Sequence, residues 1–258
     1  MTMKIKDYFF SSLPYIIFIF CISVIGILQK PLLNEEKVWT SEDFARQDSV
    51  IKAQLNLLQK LPTLGFDNLL ASWAYLNFIQ YYGDYEGRNL TGYSLLPDYY
   101  KVIVEKDPRF TGSYLLLDTA TTLFAGRPDV SVDLINYGLK YLTPEIPLAY
   151  QVLMYKGTDE LLFLGKTEEA QKSFETASEW ATIANTETSL AIAQRAKETA
   201  QFLKNNPDSK LARASSWLMI FSNAREDVVR QLALSELKKL GAIVTFEGNT
   251  VSVKMPED

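Results

Sequence analysis

Small and large residues recur at helical spacing in the middle of this chain, and the arrangement is written twice. Gly126, Ser131, Ile135 and Gly138 return 39 residues later as Gly165, Ala170, Phe174 and Ala177. Small side chains at the first and last helix positions let two helices approach closely, and the larger residue between them plugs the contact. A chain with this spacing is committed to packed helix pairs. Helical stretches are predicted at roughly 66 to 82, 97 to 106, 111 to 124, 130 to 141, 148 to 164, 167 to 183, 187 to 205, 210 to 223 and 226 to 240. The connections are short and marked by Gly or Pro, as in "GRPD", "LTPEIP", "LGK" and "NNPDS". No βαβ alternation occurs, which excludes a doubly wound sheet. Only the tail, "AIVTFEGNTVSVK", reads as two short strands around Glu247, Gly248 and Asn249.

Upstream, "TSEDFARQDSVIKAQLNLLQKLP" opens on Thr40 or Ser41 as N-cap, carries acids in its first turn and stops before Pro62. Phe44, Ile51, Leu55 and Leu58 form one apolar stripe, so this helix needs a surface to pack on. Before it, Tyr8 to Gln29 contains no charged residue over 22 positions, bounded by Asp7 and Lys30. At 1.5 Å per residue that length spans a hydrocarbon core of ~30 Å. Pro14 near its start and Tyr8 and Tyr15 at interface height suit a membrane helix. A cleaved signal peptide is the competing reading, with "VIG" at 24 to 26 as a weak cleavage site. Phe18, Ile19 and Phe20 are too bulky for a lipobox ahead of Cys21. Lys4 and Lys6 favour a cytoplasmic N-terminus and place the body in a periplasm or lumen, although Lys30 and Lys37 weaken the asymmetry.

The totals narrow the chemistry. The 258 residues are 47% hydrophobic and 22% charged, the composition of a globular chain with one or two domains. A net charge of −5 and the lack of any Lys/Arg run argue against a nucleic-acid partner. There is no His and one Cys, so no HExxH zinc helix, Ser-His-Asp triad, Cys-His dyad or intrachain disulfide can be assembled. Neither GxxxxGK[ST] nor GxGxxG is present, and no cofactor or metal is expected. The carboxylate pairs Glu35-Glu36, Asp84 with Glu86, Glu168-Glu169 and Glu226-Asp227 all sit near helix ends or turns, where acids stabilise a first turn or stay solvated. "NLT" at 89 to 91 matches a glycosylation sequon by pattern only.

"GKTEEAQKSFETA", with Gly165, Ala170, Phe174 and Ala177, resembles the second half of a tetratricopeptide repeat, and Met154 and Leu161 stand where its first helix carries large residues. The usual Leu-Gly pair is replaced by Gly157-Thr158. "YYKVIVEKDPRF" resembles the end of such a repeat, with Asp107-Pro108 closing the helix and Tyr114 and Leu117 in the places of the next repeat's Trp and Leu. The 111 to 144 unit carries one extra residue near Arg127, and the 65 to 108 unit about eight in "DYEGRNLTGYSLLPDYY". The segment "GFDNLLASWAYLNFIQYYGD" with "LPDYY" and "DPRF" also resembles a cyanobacterial group of anchored tetratricopeptide proteins. The expected fold is therefore all-α: a tetratricopeptide-like α-solenoid of antiparallel helix pairs after one N-terminal transmembrane helix, with a C-terminal β-hairpin. The boundaries are an anchor at 1–30, a linker and amphipathic helix at 31–64, three degenerate units at 65–180, further helix pairs at 181–241, and hairpin and tail at 242–258.

The segment from Phe66 to Tyr82 is too short for a second span and contains Asn68, Ser72, Asn77 and Gln80. As the first helix of a repeat it turns one face toward a concave groove. Counting back from Gly83 puts Leu70, Trp73, Asn77, Gln80 and Tyr81 there. The same count gives Leu115, Thr119 and Thr122, then Tyr155, Asp159 and Leu162. Leu70 and Leu115 suit a core; Trp73, Asn77, Gln80, Tyr81, Thr119, Thr122, Tyr155 and Asp159 are the candidate protein-binding residues. Without Lys or Arg this surface suits an apolar or aromatic segment of a membrane-complex subunit. The resemblance implies a non-enzymatic scaffold aiding assembly or stability of a membrane complex, with the lipid bilayer as second partner. The alternative is a periplasmic all-helical enzyme such as a lytic transglycosylase, which can work with one Glu. Its Glu-Ser and Gly-Leu-Met-Gln signatures are missing. The apolar run generates the first prediction. Full-length protein stays in the membrane pellet after a carbonate wash, and a mature N-terminus beginning after Gly26 contradicts it.

Overall fold

A computed structural model describes residue 15 and residues 17–27, 40–205, 210–247 and 250–256. The chain divides into two compact units, Met1–Thr40 and Ser41–Asp258. In the first, residues 17–27 are helical. The anchor expected over 8–29 extends to 8–14, 16, 28 and 29, which lie outside the described residues. Among the described residues no helix is long and apolar enough to cross a membrane.

The second unit is helical apart from a two-stranded antiparallel sheet near its C-terminus. Its elements are α1 (Ser41–Lys60), α2 (Asp67–Gly83), α3 (Tyr85–Thr91), α4 (Leu96–Lys106), α5 (Thr111–Thr119) running into a π-turn (Ala120–Phe124), α6 (Pro128–Gly138), α7 (Ala149–Leu162), α8 (Thr167–Ala184), α9 (Glu187–Asn205), α10 (Lys210–Asn223), α11 (Asp227–Lys239), β1 (Ile243–Glu247) and β2 (Thr250–Lys254). The caps follow local chemistry. α4 and α6 start with Pro in the first turn, where the missing N–H has no intrahelical partner to lose. α8 carries Glu168 and Glu169 in its first turn and stops at Asn185, which adopts a left-handed conformation with φ 50°. The strands pair Ile243 with Lys254 and Thr245 with Ser252.

Helices α7, α8 and α9 show why the small-residue spacing matters. Three layers of contacts cross them: Tyr150 with Ala181 and Ala193, Leu153 with Ala177 and Ala196, and Met154 and Leu161 with Ala170, Phe174, Ala200 and Leu203. Partners in α7 rise as those in α8 fall, and the same holds from α8 to α9, so each neighbouring pair is antiparallel. The alanines of α8 and α9 carry no side chain large enough to hold the backbones apart. The Phe174 ring closes the gap against Gly157, where a Cβ would meet ring atoms at 3.0 to 3.1 Å.

The C-terminal helices do not continue this stack as a further independent pair. α10 packs against the π-turn and α7, and α11 packs on α10. Trp217, Ile220, Val229 and Leu237 form one apolar cluster with Phe163 and Leu123. The Trp217 indole N–H donates to the Phe163 carbonyl at 3.2 Å. Farther back, the Tyr93 backbone N–H donates to Glu226 Oε1 at 2.7 Å, joining residues 133 positions apart. Ideal repeat arrays touch only neighbours; this body also closes on itself.

The central packing site gives a direct stability test. Phe174→Ala destabilises the fold by ~3 to 5 kcal/mol through loss of a buried ring. Ala170→Leu costs ~1 to 3 kcal/mol by overpacking the α7–α8 contact. Urea titrations of both variants check the pair, and unchanged midpoints contradict this packing.

Candidate functional site: a cleft between the first two helices

Helix α1 leans on α3 and α4, whereas α2 packs on α4 alone over most of its length. The stripe expected to seek a surface does so: Phe44, Leu55 and Leu58 are buried, and Ile51 is half-buried against the core. Because α1 and α2 share supports without packing on each other, a cleft of about 480 Å³ opens between them. One wall is Gln47, Val50, Ile51 and Gln54 of α1; the other is Trp73, Asn77 and Gln80 of α2. Tyr81, Arg88 and Tyr99 lie at its base.

Arg88 organises that base. Its guanidinium is almost wholly buried and grips Asp48 of α1 in two bonds, Nη1 to Oδ2 at 3.1 Å and Nη2 to Oδ1 at 3.0 Å. Nη1 also donates to Thr91 Oγ1 and to the Gly92 carbonyl, both at 2.8 Å. The cation lies 3.7 Å from the centre of the Tyr81 ring, close enough for a cation–π contact. Burial pulls the Arg88 pKa down, but hydrogen bonding to Asp48 and the fields of Tyr81, Asp48 and Asp84 outweigh it and leave the pKa raised. Burial dominates the opposite way at Tyr81, whose hydroxyl pKa is raised, and at Tyr99, where it is pushed up to about 12. Both phenols stay neutral at physiological pH. With the Arg88 charge neutralised by Asp48, the α1 and α2 walls offer amides, aromatic edges and aliphatic groups, with no exposed cation.

Helix α2 itself is unusual for a surface helix because both faces are apolar. Ala71, Ala74, Phe78 and Tyr81 face the core, while Phe66, Leu69, Trp73, Leu76 and Ile79 are 41% to 64% exposed. A surface helix ordinarily turns a polar face to water. Between Asp67 and Asp84 there is no charged side chain to provide one.

The eight candidate residues do not share one concavity. Trp73, Asn77, Gln80 and Tyr81 meet at the α1–α2 cleft. Asn77 uses its amide nitrogen on the Trp73 carbonyl at 2.7 Å, and Gln80 is exposed. Tyr81 is buried and donates to the Gly92 carbonyl at 3.3 Å, so it supports the cleft base as well as lining it. Thr122 and Asp159 lie elsewhere and away from solvent, where Thr122 Oγ1 donates to Asp159 Oδ2 at 2.6 Å. Thr119 is half-buried, and the half-buried Tyr155 donates to Gln151 at 3.2 Å. The stretch from Tyr85 to Leu96, inside the segment read as carrying extra residues, forms α3 and a tight turn with Arg88, Tyr93 and Leu95 buried.

Sequence reasoning missed Arg88, Asp48 and the glutamines of α1. One signal was present: Arg88 is the sole basic residue between Lys60 and Lys101. An isolated cation in a Tyr-rich segment has few ways to be buried, and a carboxylate partner is one of them. The chain matches no protein-family model, no curated protein and no solved structure at a significant level.

Arg88→Met strands a carboxylate that is only 13% exposed and removes the donors to Thr91 and Gly92. The expected loss is ~3 to 5 kcal/mol, since breaking a buried pair leaves one charge uncompensated. Arg88→Lys keeps the charge but not the two-pronged geometry and falls between wild type and Met. Denaturant midpoints of the three proteins check that order.

Proposed function

We propose that this protein is a non-enzymatic scaffold that uses the α1–α2 cleft and the adjoining outer face of α2 to hold an uncharged, apolar or aromatic segment of a protein partner. The observation that carries the reading is the exposed face of α2, where Leu69, Trp73 and Leu76 point outward without a charge among them. Contiguous exposed apolar surface of this kind marks interaction sites. The glutamines and Asn77 beside it present donors and acceptors without net charge, suited to the backbone of a bound strand or helix end.

The role we infer is assembly or stabilisation of a membrane complex, with the charge-free run at 8–29 as anchor, the N-terminus cytoplasmic and the body in a periplasm or lumen. Support comes from the length of that run, from the antiparallel stacking of α7, α8 and α9, and from the resemblance of the 65–180 region to tetratricopeptide units. A tethered body works at high effective concentration near other membrane proteins, so even a modest cleft affinity suffices to hold a subunit during assembly.

The test uses exposed residues, because Tyr81 is part of the fold. Trp73→Ala combined with Gln80→Ala leaves the melting temperature within a few degrees of wild type. It lowers recovery of the co-purifying partner from detergent-solubilised membranes by about tenfold or more, given ~2 kcal/mol at a central aromatic anchor. A folded double variant with full partner recovery removes the cleft from consideration.

A further inference from the structure

Two carboxyls meet in the interior where α4, α5, α6 and α7 converge. Asp118 at the end of α5 is 7% exposed and Asp159 of α7 is 2% exposed. Ser131 of α6 donates to Asp118 Oδ1 at 2.5 Å, and Thr122 of the π-turn donates to Asp159 Oδ2 at 2.6 Å. Asp118 and Thr122 stand four residues apart on one helical face, so the Thr122 bond brings Asp159 alongside Asp118. Two ionised carboxylates have only acceptors, so a hydrogen bond between them requires a proton on one of them.

We propose that Asp118 and Asp159 form a proton-binding site, in which one proton bonds the two carboxyls together and its loss loosens the junction of the four helices. A second observation points into the same site: the Tyr100 hydroxyl of α4 is wholly buried beside Ser131 and completes no hydrogen bond of good geometry. Thr121, next to Thr122 in the π-turn, is likewise buried without a partner for its hydroxyl. Polar groups stranded in this way are costly and call for an explanation.

The groups facing the pair from each element are neutral at physiological pH. They are Tyr100 from α4, Tyr114 from α5 through its effect on Tyr100, Thr122 from the π-turn, Ser131 from α6 and Tyr155 from α7. The nearby Lys156 of α7 is engaged with Glu160 and Ser173 on the side facing α8. No Lys or Arg is among the groups acting most strongly on either carboxyl. A proton suits this arrangement better than a metal cation. Calcium takes about six to eight oxygens at ~2.3 to 2.6 Å, whereas here one oxygen of each carboxyl already accepts from a hydroxyl.

Burial is the largest influence on both groups and raises both. Asp118 is pushed up to about 6 against hydrogen bonding from Ser131 and Asp159, which lowers it. Asp159 is likewise raised, well above its ordinary value, by burial and by the charge of Asp118. In the unfolded chain both return to the ordinary value of 3.8. A native carboxyl with a raised pKa contributes its stability in full below the unfolded value and loses it as pH rises toward the folded value. For Asp118 that window runs from 3.8 to about 6, and for Asp159 it continues higher. Within the window each group that stays protonated only in the folded state weakens the folding equilibrium by about tenfold per pH unit. The junction therefore loses stability as pH rises through this window, and the shared proton itself leaves only above the folded value of the pair.

The experiment is a set of urea titrations on the full chain in detergent micelles between about pH 5 and pH 8, with Asp159→Asn and Asp118→Asn alongside wild type. Asn keeps a donor and an acceptor but does not ionise. Wild type is expected to lose folding equilibrium constant by up to about tenfold per pH unit through the acidic part of the range. Asp159→Asn flattens the profile and equals or exceeds wild type at the alkaline end. Infrared spectra supply a readout independent of folding: wild type shows a protonated-carboxyl band at neutral pH that is lost in Asp159→Asn. Parallel pH profiles for all three proteins overturn the proposal, as does absence of that band. Stabilisation of wild type by added calcium or sodium, reversed by chelation or ion exchange and lost in the Asn variants, overturns it in favour of a cation. If Asp159→Asn does not fold, Asp118→Asn and the wild-type infrared band carry the same decision.

Discussion

Close approach of helix backbones is the constraint from which the other features follow. Ala170, Ala177 and Ala181 let α8 settle between α7 and α9, and Gly138 lies so near the Tyr114 hydroxyl that any Cβ there would collide with it. At such contacts no space remains for water to solvate a polar side chain, so polar groups trapped at a crossing must satisfy one another. Two trios do so. Lys156, Glu160 and Ser173 join α7 to α8 with compensating charge, Lys156 Nζ bonding Ser173 at 2.9 Å and Ser173 bonding Glu160 at 2.7 Å. Asp118, Ser131 and Asp159 sit at the next junction without a cation, and that difference is why one trio is electrically quiet and the other depends on a proton.

Much of the fold was legible because its signals are local. The helix ends at Asp107 and Asn223, and the hairpin at 243–254, follow caps and alternation that act within a few residues, whereas α6 stops at Gly138, short of the predicted end at 141. Ala125 N–H bonds the Ala120 carbonyl five residues back, making a π-turn that turns Thr122 toward Asp159. A wide turn of this kind takes up one residue without breaking the helix, and spacing alone does not say where.

The candidate site was only half legible, and the reason is physical. Register counting brought Trp73, Asn77 and Gln80 to one wall of the cleft, since that depends on helix period alone, with the buried Tyr81 at its base. It could not place the second wall. The groove was expected to run along successive units, but α1 occupies one side of it, held by an ion pair between Asp48 and Arg88 forty residues apart. Nothing in a local pattern announces a pairing of that range. Thr122 and Asp159 failed as groove residues for a related reason: α6 and α10 close over a position that a simple repeat leaves open.

That long-range closure reaches the cleft through a single peptide group. The bond joining Gly92 to Tyr93 offers its carbonyl to Arg88 and Tyr81 and its N–H to Glu226, the residue that begins α11. Asp48, Arg88, this peptide and Glu226 thus form an unbroken chain of hydrogen bonds from α1 to the start of α11. Each member polarises the next, so the chain is stiffer than its separate bonds. Gly92 is required at its centre: φ is +75°, and a Cβ would lie 2.0 Å from Glu226 Cγ. Burial raises the Glu226 pKa, and the Tyr93 N–H opposes that by favouring the carboxylate. The base of the cleft is therefore set by residues from both ends of the body. Its shape is a property of the closed fold and is lost when α11 detaches, even if α1 to α4 keep their own contacts.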